Sequence, residues 1–277
     1  MNQLNLMMIT SSPEVASFIE QHGVSRIFMD QEVNGKAERQ GHLDTHKAAH
    51  SLEEVAAVAE AIQYAELMVR INPLHSRSGE EVAGAIDSGA QRLMLPMFTK
   101  RADVEEFLAL VDGRVPVTFL AETPQALVRI PDWLPLLKPG YDEVHIGLND
   151  LSLGMGLSFL FEPLAIRLLD LAAELFNRHG VTWGFGGMAR IGQGELPAEI
   201  LMGEHIRLGS QWVILSRAFH QGAASSKALM SQLDFPAEIA KLREAQTRWQ
   251  LANPSELMDN QQKIATTALQ IGRSLNV

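Results

Sequence analysis

The chain contains no cysteine. Disulfides, thiolate metal ligands and a cysteine nucleophile are all excluded by that absence, and the cytoplasm is the expected compartment. A surplus of positive charge is missing as well. The 23 Lys and Arg stand against 33 Asp and Glu, giving a formal net charge of −10 at pH 7. A phosphate-backbone partner requires a basic face, so nucleic-acid binding is not expected. No run of about 20 apolar residues is present to cross a membrane. The N-terminus also lacks the basic-then-apolar order of a secretory leader. What the 277 residues do hold is core material: 46% are hydrophobic and 20% charged, which argues against disorder.

Short apolar runs alternate along the chain with segments of helical period. Strands are expected at 4–10 (LNLMMIT), 26–31 (RIFMDQ), 66–72 (ELMVRIN), 92–98 (RLMLPMF), 116–122 (PVTFLAE), 143–148 (EVHIGL), 181–188 (VTWGFGGM) and 205–210 (HIRLGS). Between them, Ser12-Pro13 opens a helix, Ser51-x-x-Glu54 reads as a capping box, and helices are expected at 78–90, 103–111, 162–179 and 197–203. Most of the strand segments are continuously apolar rather than alternating, as in parallel strands covered on both faces. Eight strand–helix units without a Gly-x-Gly-x-x-Gly turn after the first strand predict a (β/α)₈ TIM barrel rather than an open doubly wound sheet. The barrel is expected over 1–220 and a helical extension over 221–277, broken at Asn253-Pro254. The extension's apolar positions Ile239, Leu242, Trp249, Leu251 and Leu257 need a surface to cover, either on this barrel or on a second subunit.

Catalytic groups in such barrels sit at the C-terminal ends of the strands. Those ends carry Asp30 and Glu32, Arg70 and Asn72, Glu122, and Asn149 with Asp150. Glu122 and Asp150 close successive strands, and parallel neighbours lie only about 4.8 Å apart. Two carboxylates so placed suit a hard cation completed by water and substrate, hence Mg²⁺ or Mn²⁺. The plainer reading makes each of them a helix cap, Glu122 before Thr123-Pro124 and Asp150 before Leu151–Leu153. Arg70 has the planar fork that grips a substrate carboxylate, although a structural ion pair would also explain it. A cation chelating a 2-oxo acid, with an arginine beside the oxyanion, would stabilise an enolate.

Several segments match one family. VRINP at 69–73, LMLPMFTKRADVEEF at 93–107, FLAET at 119–123, EVHIGLNDLSLGMG at 143–156 and GEHIRLGS at 203–210 resemble the HpcH/HpaI aldolase and citrate lyase β-subunit family of phosphoenolpyruvate-binding barrels. The resemblance implies Glu122 and Asp150 as metal ligands, Arg70 with Asp30 and Glu32 as catalytic residues, and Arg70, Asn72, Leu148 and Asn149 around the substrate. Two departures stand out. The second strand reads Asp30-Gln31-Glu32-Val33, with Val33 where the aldolases of the family carry a proton-transferring histidine, and Asn149 replaces the usual alanine before the metal aspartate.

The segment after that strand holds His42, His46 and His50. Three histidines from one helix seldom make a zinc site, so a proton shuttle is the better role, with His46 the candidate. His145 and His205 fall inside expected strands and read as core or rim residues, and most of the twelve methionines read as core filling. The resemblance implies a metal-dependent carbon–carbon lyase that cleaves a 4-hydroxy-2-oxo acid to pyruvate and an aldehyde, assembled as a homo-oligomer. A lyase or thioesterase acting on a β-hydroxyacyl-CoA, and a barrel that binds a 2-oxo acid without turnover, are the alternatives.

Overall fold

A computed structural model describes residues 3–34, 50–220 and 222–275. Eight parallel strands close into one barrel in sequence order. They are β1 (Asn5–Ile9), β2 (Arg26–Asp30), β3 (Glu66–Arg70), β4 (Arg92–Leu95), β5 (Val117–Ala121), β6 (Glu143–Ile146), β7 (Thr182–Met188) and β8 (Trp212–Leu215). The helices between them include α1 (Pro13–Glu20), α2 (Leu52–Ala61), α3 (Ser78–Asp87), α4 (Arg101–Val111), α5 (Pro124–Val128), α6 (Ile130–Trp133), α7 (Leu148–Gly154), α8 (Glu162–Ala165), α9 (Leu169–His179) and α10 (Ala198–Leu208). The expected (β/α)₈ barrel with extra C-terminal helices is therefore the fold. No described helix is long and apolar enough to cross a membrane.

Two expectations need correction. HIRLGS is not a strand: it is the end of α10 and its Gly209 cap (φ 72), and the eighth strand is WVIL, one element later. The helix expected over 162–179 is two helices, separated where Arg167 adopts a left-handed φ of 58.

Alternate strand residues point inward, and the sheet wall divides the core in two. Outside lies the large cluster between strands and helices. Inside, Met7, Phe28, Met68, Met94, Leu120 and Trp212 form a separate plug, with Ile9 and Ile214 against it. Below the plug, at the strand N-termini, Arg26 donates to Glu66 (2.6 Å) and to both oxygens of Glu143 (2.7 and 3.2 Å), and Arg92 donates to Glu66 (3.0 Å). The Arg26 guanidinium also lies 3.7 Å above the Trp212 ring. Such a cluster is costly to break on one side only where a carboxylate stays buried, as Glu143 does while Glu66 keeps part of its exposure. Arg26→Met is expected to lower the unfolding free energy by about 3 kcal/mol. Urea titration measures this, and a loss below about 1 kcal/mol would show the layer to be dispensable.

The C-terminal extension comprises α11 (Ser226–Gln232), α12 (Phe235–Gln250) and α13 (Pro254–Leu275). α12 packs on α10, and α13 on α8 and α10. Phe235, Ile239 and Leu242 are buried there. Trp249 Nε1 donates to Glu199 O (2.6 Å) and Asn260 Nδ2 to Ile200 O (2.8 Å). Gly203 permits this approach, since a Cβ at that position would lie 2.8 Å from the Trp249 ring. Most of the apolar stripe that motivated an oligomer thus covers the chain's own barrel, with Leu251 left 82% exposed.

Candidate functional site

Among the described residues, the C-terminal mouth of the barrel brings Asp30, Glu32, Glu122 and Asp150 together with Arg70. Asp30 and Arg70 end β2 and β3 in register with each other. Glu122 directly follows β5, and Asp150 sits in the first turn of α7 after β6. Asp30, Glu32, Glu122 and Asp150 are all buried.

Neither bland capping role survives. Thr123 is the N-cap of α5 and its hydroxyl accepts from Ala126 N (3.0 Å), which leaves Glu122 outside the cap. α7 starts at Leu148 with Gly147 as N-cap and no side-chain cap, so Asp150 lies within the helix rather than before it.

Arg70 is held by its own chain. Nε and Nη2 donate to the two oxygens of Asp30 (2.9 and 2.8 Å), and Nη2 lies 3.3 Å from Glu32 Oε2. The two-pronged edge expected to grip a substrate carboxylate is therefore occupied by Asp30. Among the described residues Nη1 has no hydrogen-bond partner. Burial opposes the guanidinium charge, but the Asp30, Glu32 and Glu122 carboxylates outweigh it and raise the Arg70 pKa above its ordinary value.

Glu122 is pushed the other way on the carboxylate scale. Burial is the largest cause, and although Arg70 opposes it, the nearby Asp150 and Glu32 add to it, so the group titrates at about 8. One oxygen accepts from Met97 N (3.1 Å), a residue held at a left-handed φ of 56 just after Pro96. The other lies against Gly147, where a Cβ would meet it at 2.8 Å. Glycine is required there by that close approach rather than by its φ.

The remaining expected residues divide. Asn72 shapes the rim: its Oδ1 accepts from Val33 N (2.8 Å) and Asn34 N (2.9 Å), and its Nδ2 donates to Glu81 (2.6 Å). The Leu148 side chain is buried beside Gly186, and Asn149 is half-buried on the first turn of α7. His46, with His42, lies outside the described residues. His50 is at the mouth, its ring accepting from Asp30 N (2.9 Å). His145 is an interior strand residue as expected, whereas His205 is on α10, stacked at 3.9 Å on Phe185.

Among the described residues no group of three or more His, Asp or Glu is arranged to hold a metal ion. Glu122 and Asp150 nonetheless fit a divalent cation: both supply hard oxygen donors, and among the described residues Asp30, Glu32, Glu122 and Asp150 are buried at the mouth with Arg70.

Residues 35–160 match the HpcH/HpaI aldolase/citrate lyase family. The match spans Arg70, Glu122 and Asp150 and ends before β7. No curated protein matches the chain. That match supports, in general terms, chemistry of the aldolase and lyase type. Pattern reading missed Met97 and Gly147, the two residues that clamp Glu122. The Pro96-Met97 step at a strand end and the glycine just before the Leu-Asn-Asp run were the available signals.

Proposed function

We propose that this barrel is a divalent-cation-dependent carbon–carbon lyase that cleaves a 4-hydroxy-2-oxo acid to pyruvate and an aldehyde, or runs the reverse addition. The observation that carries this reading is Arg70, locked by Asp30 and Glu32, its Nη1 without a hydrogen-bond partner among the described residues and its charge acting on Glu122, which Asp150 also influences. Glu122 and Asp150 would hold the cation, which when bound supplies Lewis acidity towards the 2-oxo oxygen. Cleavage removes the 4-hydroxyl proton and breaks the C3–C4 bond. The aldehyde leaves and the bonding pair becomes the enolate of pyruvate, which takes a proton at C3. Negative charge gathers on the enolate oxygen during that step, and Arg70 Nη1 can donate to that single oxygen from a fixed position. The guanidinium stays protonated throughout, so its part is electrostatic and not proton transfer.

Incubation with Mg²⁺ or Mn²⁺ and a panel of 4-hydroxy-2-oxo acids tests the reading by release of pyruvate. Turnover of β-hydroxyacyl-CoA thioesters alone would move the activity to the acyl-CoA branch. Pyruvate binding without turnover of either panel would leave a binding protein.

Arg70→Lys is expected to lower kcat by about 100-fold or more despite keeping the charge. An ammonium cannot satisfy Asp30 through a fork and also present a second nitrogen. A variant within threefold of wild type in kcat/KM would make Arg70 structural.

A further inference from the structure

β1 ends at Ile9 while β2 runs on to Asp30. In a parallel strand, backbone groups of alternate residues face opposite neighbours. Gln31 N donates to Arg70 O (2.9 Å) on the β3 side, and Thr10 N donates to Phe28 O (3.3 Å) on the β1 side. Asp30 therefore turns its N–H and C=O towards β1, where no ladder residue remains to receive them. His50 takes that place. Its backbone N donates to Asp30 O (2.9 Å), its ring Nδ1 accepts from Asp30 N (2.9 Å), and its carbonyl accepts from Gln31 Nε2 (3.1 Å).

We propose that His50 is a positioning residue, whose ring fixes the Asp30 backbone and through it the Arg70 guanidinium; its effect on catalysis rests on the lyase reading above. An amide can only donate, so Nδ1 accepts, and the ring is neutral with its proton on Nε2 while that bond stands. The Asp30 carboxylate continues the chain of contacts, since Oδ1 accepts from Glu32 N (3.1 Å) as well as from Arg70 Nε. An ordinary strand end would let Asp30 fray. Here a side chain 20 residues further on replaces the missing strand, and the aspartate that orients Arg70 is held from both sides. His50 itself does not take a proton from substrate in this arrangement, because its one lone pair is engaged by the Asp30 amide.

The two ring nitrogens can be separated by substitution. Asparagine places its Oδ1 near the position of Nδ1 and so keeps the acceptor; glutamine reaches the position of Nε2 instead, and leucine keeps neither. His50→Asn should stay within threefold of wild type in kcat. His50→Leu and His50→Gln should each lose about 10-fold to 100-fold, as for loss of a supporting hydrogen bond behind a catalytic group, with KM changing by less than threefold. A second readout needs no turnover. The Arg70 Nε–H resonance, identified by its loss in Arg70→Lys, should shift and exchange faster with solvent in His50→Leu and remain unchanged in His50→Asn. Should wild type prove inactive on every panel, the lyase reading falls and this resonance alone decides the positioning. An unchanged Arg70 signal in His50→Leu overturns the proposal, as does an asparagine variant as impaired as the leucine one, which would make Nε2 the working atom.

Discussion

Glu122→Gln and Asp150→Asn are each expected to remove divalent-cation binding and to cut turnover roughly 10³-fold, at the upper end of losses seen when a preorganised electrostatic contact is deleted. Glu122 gives the cleaner test. Burial, with Asp150 and Glu32 nearby, already pushes this carboxyl up to about 8, so at neutral pH without a cation the buried group carries a proton. A glutamine reproduces the shape of that protonated form and keeps an acceptor for Met97 N, which implies an intact fold and a Tm within a few degrees of wild type. What glutamine cannot do is lose the proton to make room for a cation. Cation affinity by calorimetry and turnover should therefore collapse together while the melting curve barely moves. Unchanged cation affinity in both variants would dispose of the metal assignment, and with it the reason for reading the mouth as a hard-oxygen site.

The barrel was legible because its strands are covered on both faces, and continuous apolar runs such as LMVR at β3 and VTFLA at β5 need little context. The eighth strand was misplaced for a related reason. α10 lies between the barrel wall and the C-terminal helices, so Gly203, Glu204, His205 and Leu208 are all buried and the helix lost the polar face that marks a surface helix. Gly209, left-handed at its C-cap, was the local sign of a helix end.

At the site, the residues that could be read were those lying singly at strand ends: Asp30, Arg70 and Glu122. Their partnerships were not legible. Asp30 meets Arg70 across 40 residues, His50 meets Asp30 across 20, and Met97 meets Glu122 across 25. Barrel closure brings these together, and no periodicity within one element records it. The same holds for the Arg70 fork. Residue type alone pointed it at a substrate carboxylate, whereas the neighbouring strand supplies a carboxylate first.

Stability is expected to fall steeply below pH 6.5, through two buried histidines. His145 lies inside the barrel with Nε2 on Gly186 O (3.2 Å), and its Nδ1 has no partner among the described residues. His205 stacks on Phe185, bonds through Nδ1 to Ser210 Oγ (2.9 Å), and has no partner for Nε2 among the described residues. Burial depresses both, His145 to about 4 and His205 to about 3, the latter also through repulsion from His145. In the unfolded chain each imidazole takes a proton near pH 6.5. Above that pH both states are neutral and the pair has no effect on stability. Between 6.5 and the depressed folded values only the unfolded chain binds the protons, so stability drains away as the pH falls. At 1.36 kcal/mol per pKa unit, two groups titrating over 1.5 units give a loss of about 4 kcal/mol by pH 5. Glu122 acts with the opposite sign, since a raised carboxyl favours the folded state in acid, but it is common to wild type and variant and cancels in their difference. The double variant His145→Gln/His205→Phe keeps a donor for Gly186 O and a ring for the Phe185 stack while removing both titrations. Urea melts at pH 7 and pH 5 should show wild type losing about 4 kcal/mol more than the double variant. An equal loss in the two proteins would mean that other groups set the acid limit and that these imidazoles are protonated without unfolding the barrel.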